Sequence, residues 1–444
     1  MVDSRVTQIP VITVDLSNQP SRVTQIPVLA ISIPVQPARI TQVPVMVPYT
    51  PRSIPAPVSI PPETPVTEVW SYLTAINIIS NGREQRSALR DVPRYSLRLN
   101  FLLLNGDDRR IMVENLQRQQ GVEFSYPVYQ YGTPVEPADA GDTELYFDAS
   151  RTDMRAGELL AIYDPYLETL TYAEIATVEP EGATLSAPLA GAVPKGCYAL
   201  PVYPFRLPSP ASVRMNTVAG TATMRIESTR PRQFQRLPNP GLLARLGNIV
   251  VLDRRPMNDV DDAINRYTEW TDSELSIPDP TIKWRTAFFE GQRRYRYDRF
   301  TESDYWRAFA DEMKGRRGTF LLPTFFDDLP LVAQPALNAT ALTTSNMWAD
   351  HYLRNQSYKF IRIERQNNKV TYHRITDYNL NYDVNGDPIS LTFNIAASIG
   401  NTAGDNLIRK ISFALLSRLN SDDITLEHGQ FSSVITLDIR TVNE

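Results

Sequence analysis

The sequence predicts a mixed, β-dominated α+β fold: two diverged copies of one β-rich module, each with one main helix, preceded by an extended Pro-rich arm. Two observations carry the duplication and a third carries the arm. Residues 301–331, TESDYWRAFADEMKGRRGTFLLPTFFDDLPL, have a fainter echo at residues 107–135, DDRRIMVENLQRQQGVEFSYPVYQYGTPV. The heptapeptide LTYAEIA at 170–176 answers VTYHRIT at 370–376, an offset of 200 residues. Self-similarity of this kind marks repeated structural units. In the arm, residues 4–11 and 21–28 both read SRVTQIPV and residues 38–45 read ARITQVPV, three copies at a period of 17. At 444 residues the chain exceeds what one core usually supports. The division that follows is an arm at 1–66, a first module at 67–230, a linker at 231–280 and a second module at 281–444, each module carrying a β-barrel-like insert.

Thirteen of the 35 prolines lie in residues 1–66, a density that forbids helices and central strands and favours extended backbone. The arm carries seven charges and is loaded with Val and Ile, unlike a solvated disordered tail. It is expected to lie along a surface, each octapeptide docking into an equivalent groove. The residues assigned to that docking are Arg5, Ile9 and Val11, then Arg22, Ile26 and Val28, then Arg39, Val43 and Val45. Seventeen extended residues span roughly 50–55 Å, enough to cross a neighbouring subunit. The alternative is an unattached tail that happens to repeat.

In the first module, residues 69–79 read as a strand, with a polar turn at Asn81-Gly82. Tyr95, Leu97, Leu99 and Phe101 alternate with polar residues, the period of a half-buried strand. A helix from Asp107 or Asp108 to Gly121 leads into F-x-x-P at 124–127, and short strands at about ten-residue spacing follow to Phe205. Residues 221–228 close the module as a strand. In the linker, residues 248–252 read as a buried strand and 259–267 as a short helix. In the second module Ser303 is the expected N-cap, and Trp306, Phe309, Ala310 and Met313 share one helical face. Gly315 and Gly318 stop that helix ahead of F-x-x-P at 320–323. Asn385-Gly386 signals a hairpin between 378–384 and 389–397. LIRKISFALLSRL at 407–419 reads as an amphipathic helix and 432–442 as a last strand.

Formal net charge is -5, so there is no global basic field for nucleic acid. Of 45 basic residues only six are lysines, and arginine's planar fork suits ordered ion pairs. Arg293, Arg294 and Arg296, interleaved with Tyr295 and Tyr297 and expected on the strand face opposite those tyrosines, and Arg316 with Arg317, are the candidate interface residues. Basic and aromatic residues so interleaved can also hold bases and phosphates. Carboxylates nearby, at Glu290, Asp298, Glu302 and Asp304, favour salt bridges instead. His351, His373 and His428 lack any metal-binding spacing, and a single cysteine, Cys197, excludes an internal disulfide and Cys-based zinc. No nucleophile-elbow, P-loop or dinucleotide motif is present. Asp377, Asn379 and Asn381 resemble the start of a calcium loop, but Tyr382 stands where glycine is needed and Pro388 where glutamate is needed. The carboxylate pairs Asp327-Asp328 and Asp261-Asp262 are adjacent on the chain and point apart. No catalytic, cofactor or metal residue is assigned, and no run is apolar enough to span a bilayer. The N-terminus has no signal-peptide pattern, so synthesis and retention in a reducing cytoplasm are expected.

At the SRVTQIPV repeats and at WRAFADEMKGRRGTFLLPTFFDDLPL the sequence resembles tail proteins of tailed bacteriophages. The overall plan is most similar to the tail sheath or ring-forming tail protein of schitovirus-like short-tailed phages. That resemblance covers the second module and the arm better than the first. It implies a virion protein in a symmetric ring, made in the host cytoplasm, with other tail proteins (tube, portal or adaptor, fibres or appendages) as partners. A duplicated module doubles the ring positions one chain can fill, so six chains would present twelve quasi-equivalent units. The second expectation is a receptor- or carbohydrate-binding tail component whose specificity lies in the inserts at 141–205 and 333–397.

Overall fold

The computed structural model describes residues 61–79, 83–104, 106–215, 220–229, 242–257, 262–265, 268–271, 279–282, 287–298, 302–354, 358–400, 404–429 and 432–442. The arm repeats, and with them the nine assembly residues from Arg5 to Val45, lie outside the described residues.

The first half runs β1 (Glu63–Ile78), β2 (Glu84–Leu103), α1 (Gly106–Gln119), β3 (Phe124–Pro127), β4 (Thr133–Pro134), β5 (Glu144–Tyr146), β6 (Leu159–Asp164), β7 (Thr169–Glu179), β8 (Gly182–Leu185), β9 (Tyr198–Arg206), β10 (Ser212–Met215) and β11 (Gly220–Ser228). Between the halves lie β12 (Ala244–Leu246), β13 (Ile249–Val251), β14 (Asp262–Asn265), β15 (Thr268–Thr271) and β16 (Asp279–Ile282). The second half runs β17 (Phe288–Asp298), α2 (Ser303–Met313), β18 (Phe320–Pro323), β19 (Ala341–Thr344), α3 (Ala349–Leu353), β20 (Phe360–Arg365), β21 (Val370–Tyr382), β22 (Pro388–Ile395), β23 (Ile408–Leu419), β24 (Asp423–His428) and β25 (Ser432–Thr441). The β-dominated class is therefore as the sequence predicts.

Strand pairing follows the same order in both halves. In the first, β3 and β6 flank β9, β6 pairs β7, β7 pairs β8, and β8 pairs β5. In the second, β18 and β20 flank β23, β20 pairs β21, β21 pairs β22, and β22 pairs β19. Even an irregularity recurs: the β7–β8 register slips after Ile175 and the β21–β22 register after Ile375. Each insert closes on itself through a backbone bond, Glu136 N to Tyr146 O (2.9 Å) in one and Val332 N to Thr343 O (3.0 Å) in the other. Each has its own core, centred on Leu145, Leu160, Ile162 and Ile175 in the first and on Leu342, Ile361, Ile363 and Ile375 in the second.

The bodies of the two halves are joined. Among the described residues the order β10–β11–β2–β1–β24–β25–β17–β14 is hydrogen-bonded throughout and antiparallel at every step. One apolar core runs beneath it, taking Leu97, Leu99 and Phe101 from the first half and Trp306, Phe309, Ile435 and Leu437 from the second.

Several expectations are corrected. Residues 408–419 form β23, not an amphipathic helix. This strand pairs β18, β20 and β25 and buries nearly every side chain, and a strand covered on both faces reads as a continuous apolar run that periodicity cannot tell from a helix. The expected helix at 259–267 is replaced over 262–265 by β14, paired to β17. The linker also contributes β13, parallel to β18, and β1 starts at Glu63, within the stretch assigned to the arm. Glu302, not Ser303, takes the N-cap position of α2, without a side-chain cap bond, and α3 was not anticipated.

Candidate functional site

The seam where β1 meets β24 holds a buried polar cluster that joins the two halves. Period-two alternation sends Val66, Glu68, Trp70 and Tyr72 inward from β1, so the strand carries one carboxylate into an apolar face. Glu68 is fully buried. Its oxygens accept from Trp70 Nε1 (2.7 Å) and Tyr131 OH (2.6 Å), and His428 Nε2 lies 2.6 Å away on β24. His428 Nδ1 meets Ser433 Oγ at 3.1 Å, and the Arg307 guanidinium stacks on the Tyr131 ring at 4.1 Å from its centroid. Burial alone pushes the Glu68 carboxyl up. The hydrogen bond and field of His428, the field of Arg307 and the Tyr131 hydrogen bond outweigh it and hold the group below the usual carboxylate range. The Tyr131 hydroxyl is driven well above the ordinary tyrosine value by burial and remains a proton donor. A buried charge so fully bonded favours the register seen, because slipping β1 along β24 parts Glu68 from His428.

The G-R-R-G segment after α2 works at the same seam. Lys314 and Gly315 both adopt left-handed backbone, φ 48° and 69°, and turn the chain towards β18. A side chain at 315 would collide with Asp422 and Tyr72, since a Cβ there lies 2.5 Å from Asp422 Oδ1. Arg316 donates to Asp422 Oδ2 from Nε (3.2 Å) and Nη2 (3.0 Å), and Nη2 also reaches Thr74 O (3.1 Å). Asp422 further accepts from Thr74 N (2.9 Å) and Thr74 Oγ1 (2.8 Å), so three segments far apart in sequence meet on one carboxylate. Arg418 forks onto Glu84 at 2.6 and 2.9 Å, a second buried pair between the halves.

The candidate interface arginines therefore divide. Arg293 lies on the buried face of β17 with Tyr295 and Tyr297, not opposite them, and grips both oxygens of Asp262 at 2.7 and 2.8 Å. Arg316 is consumed by the seam. Arg294, Arg296 and Arg317 stay at the surface near Glu427, Ser432 and Asp91. The carboxylates expected to pair them serve other groups: Glu290 meets Arg440, Glu302 meets Arg254 and Asp304 meets Arg307. Asp327 and Asp328 accept the backbone N–H groups of Ile411 and Phe413. Asn381 bonds Ser390 and Thr392 across the β21–β22 hairpin, and Cys197 is buried. Among the described residues no three His, Cys, Asp or Glu side chains converge as a metal site, and no helix is long and apolar enough to cross a membrane.

Two surface grooves flank the first half. One, of about 340 Å³, is polar and lined by Arg90, Arg94, Arg225 and Glu227. The other, of about 210 Å³, is apolar and lies between α1 and β10, lined by Val113, Leu116, Leu207, Ala211 and Val213. Neither is lined by Glu68 or His428. Sequence reasoning missed Glu68 and Asp422; for Glu68 the signal was present, a carboxylate in phase with Val66, Trp70 and Tyr72. No protein-family model matches the chain, and no curated protein matches it.

Proposed function

We propose that this chain is a structural virion protein of a bacteriophage tail that assembles with its own copies into a ring or sheath, the N-terminal arm strapping neighbours. The observation that carries the reading is the seam itself: two halves with the same pairing order are welded edge to edge into one sheet through β1 and β24. A module that already binds its own likeness within one chain is built for head-to-tail association, and such interfaces close into rings when the rotation permits. Its partners are then its own copies, six in the simplest ring, and the adjoining tail proteins. The test is light scattering on the full chain and on a chain lacking residues 1–60, which leaves β1 intact from Glu63. Closed oligomers of about six chains that fall to monomer on truncation are expected. Monodisperse monomers in both cases overturn the reading.

A receptor- or carbohydrate-binding role has one observation in its favour. Tyr166 and Leu167 stand 84% and 71% exposed at the β6–β7 turn of the first insert. Aromatic rings on a projecting tip suit sugar faces. Binding of intact host cells that is lost in Tyr166→Ala, with oligomers unchanged, would move the assignment there.

A further inference from the structure

The geometry points to a specific join between copies: β14 of one chain pairs antiparallel with β10 of the next, reproducing the internal seam of β1 on β24. This rests on the ring reading above and names the surfaces it uses.

The argument is one of register. The sheet order β10–β11–β2–β1 in the first half matches β24–β25–β17–β14 in the second. Ser212 opposite Thr223 corresponds to Thr425 opposite Thr436, and Ala222 opposite Phe101 to Ile435 opposite Tyr295. Leu97 opposite Glu68 corresponds to Gly291 opposite Asp262. One consistent shift per strand thus maps β1 onto β14 and β10 onto β24. Inside the chain, a β1-type edge is paired to a β10-type edge. What the described residues leave over is one edge of each type, β14 and β10, at opposite ends of the same sheet.

Side chains at those edges fit the same join. Trp70 of β1 is 2% exposed because β24 and the second half cover it; its counterpart Ile264 on β14 is 66% exposed. On the receiving side, α2 buries seven residues, and Tyr72 of β1 reaches its Asp311 at 3.3 Å. Its counterpart α1 buries only Met112 and Gln119 and borders the apolar groove against Ala211 and Val213. In the second half a strand of the first lies beside β24, and its Tyr72 reaches α2. The first half has the groove open, and the strand of matching type that remains is β14 of another copy. Transferring the seam register places Asp262 opposite Val213, Ala263 opposite Ser212 and Ile264 opposite Ala211 across the interface. Each join then presents two half-modules per chain around the ring, and the β14 and β10 edges are no longer unpaired.

Full-length chains carrying Ala263→Cys or Ser212→Cys test this, the single native cysteine being buried. Oxidation of a one-to-one mixture is expected to give a disulfide dimer, neither variant alone giving one, and a chain with both substitutions a ladder. Ile264→Lys is expected to weaken self-association by about tenfold or more, the effect of losing one buried aliphatic side chain. Its thermal midpoint, unchanged because the residue is exposed in the single chain, serves as the folding control. Oligomers that form without the mixed disulfide, or a dimer of Ala263→Cys alone, overturn this join while leaving the ring reading standing. Monomers at every concentration overturn both.

Discussion

Replacing Glu68 by leucine removes one buried acceptor that three side chains share. Trp70 Nε1, Tyr131 OH and His428 Nε2 all sit within 2.7 Å of its carboxylate. Each buried polar group left without a partner costs about 1–3 kcal/mol, and breaking one side of a buried charged network about 3–5 kcal/mol. We therefore expect a loss of about 3–5 kcal/mol, a large share of the roughly 5–15 kcal/mol typical of a folded domain. Urea unfolding followed by tryptophan emission reads it, with Trp70 at the site itself. The double variant Glu68→Leu, His428→Leu should recover part of the loss, because fewer stranded groups remain. Glu68→Gln separates charge from shape. The Glu68 carboxyl is held below its ordinary value of 4.5, so its stabilisation is present above that pH and is lost as pH falls through the lowered folded value. The stability gap between wild type and Glu68→Gln should accordingly shrink on acidification below about 4.5. A loss under about 1 kcal/mol for Glu68→Leu, or a gap that widens in acid, refutes the account of the seam.

Other substitutions probe the same seam. Gly315→Ala adds a Cβ 2.9 Å from the Tyr72 Cβ at a φ of 69°, and should cost about 2–4 kcal/mol by thermal unfolding. Asp422→Ala removes the acceptor shared by Thr74 and Arg316 and should cost about 2–3 kcal/mol; faster hydrogen exchange at the Thr74 amide would locate the opening. The Cys197 thiol is buried, and desolvation raises its pKa, so a thiol reagent at pH 8 should label it only after denaturant is added.

Much of the local structure was legible because short-range chemistry controls it. Tyr95, Leu97, Leu99 and Phe101 alternate in the sequence and are all buried in β2. The face of Trp306, Phe309, Ala310 and Met313 is the buried face of α2. Asn385-Gly386 turns β21 into β22. The misreadings have physical reasons too. Residues 408–419 lost the alternation of a strand because sheet neighbours and packing cover both faces. Arg293 is in phase with Tyr295 and Tyr297, so period two alone puts it on their face; what the sequence did not offer was its partner, Asp262, on a strand that local pattern favours as helix.

Periodicity and turn residues thus specify those strands and helices that have one solvent-facing side, since these depend on neighbours a few positions away. Which edge meets which is another matter. Glu68 finds His428 360 residues along the chain, and Thr74 finds Asp422 348 residues along. Nothing local to either residue names the other. Burying Trp70, bonding the Glu68 carboxylate and pairing the backbone of β1 can be satisfied together by the register seen on β24, and only the folded chain brings those three demands to one place.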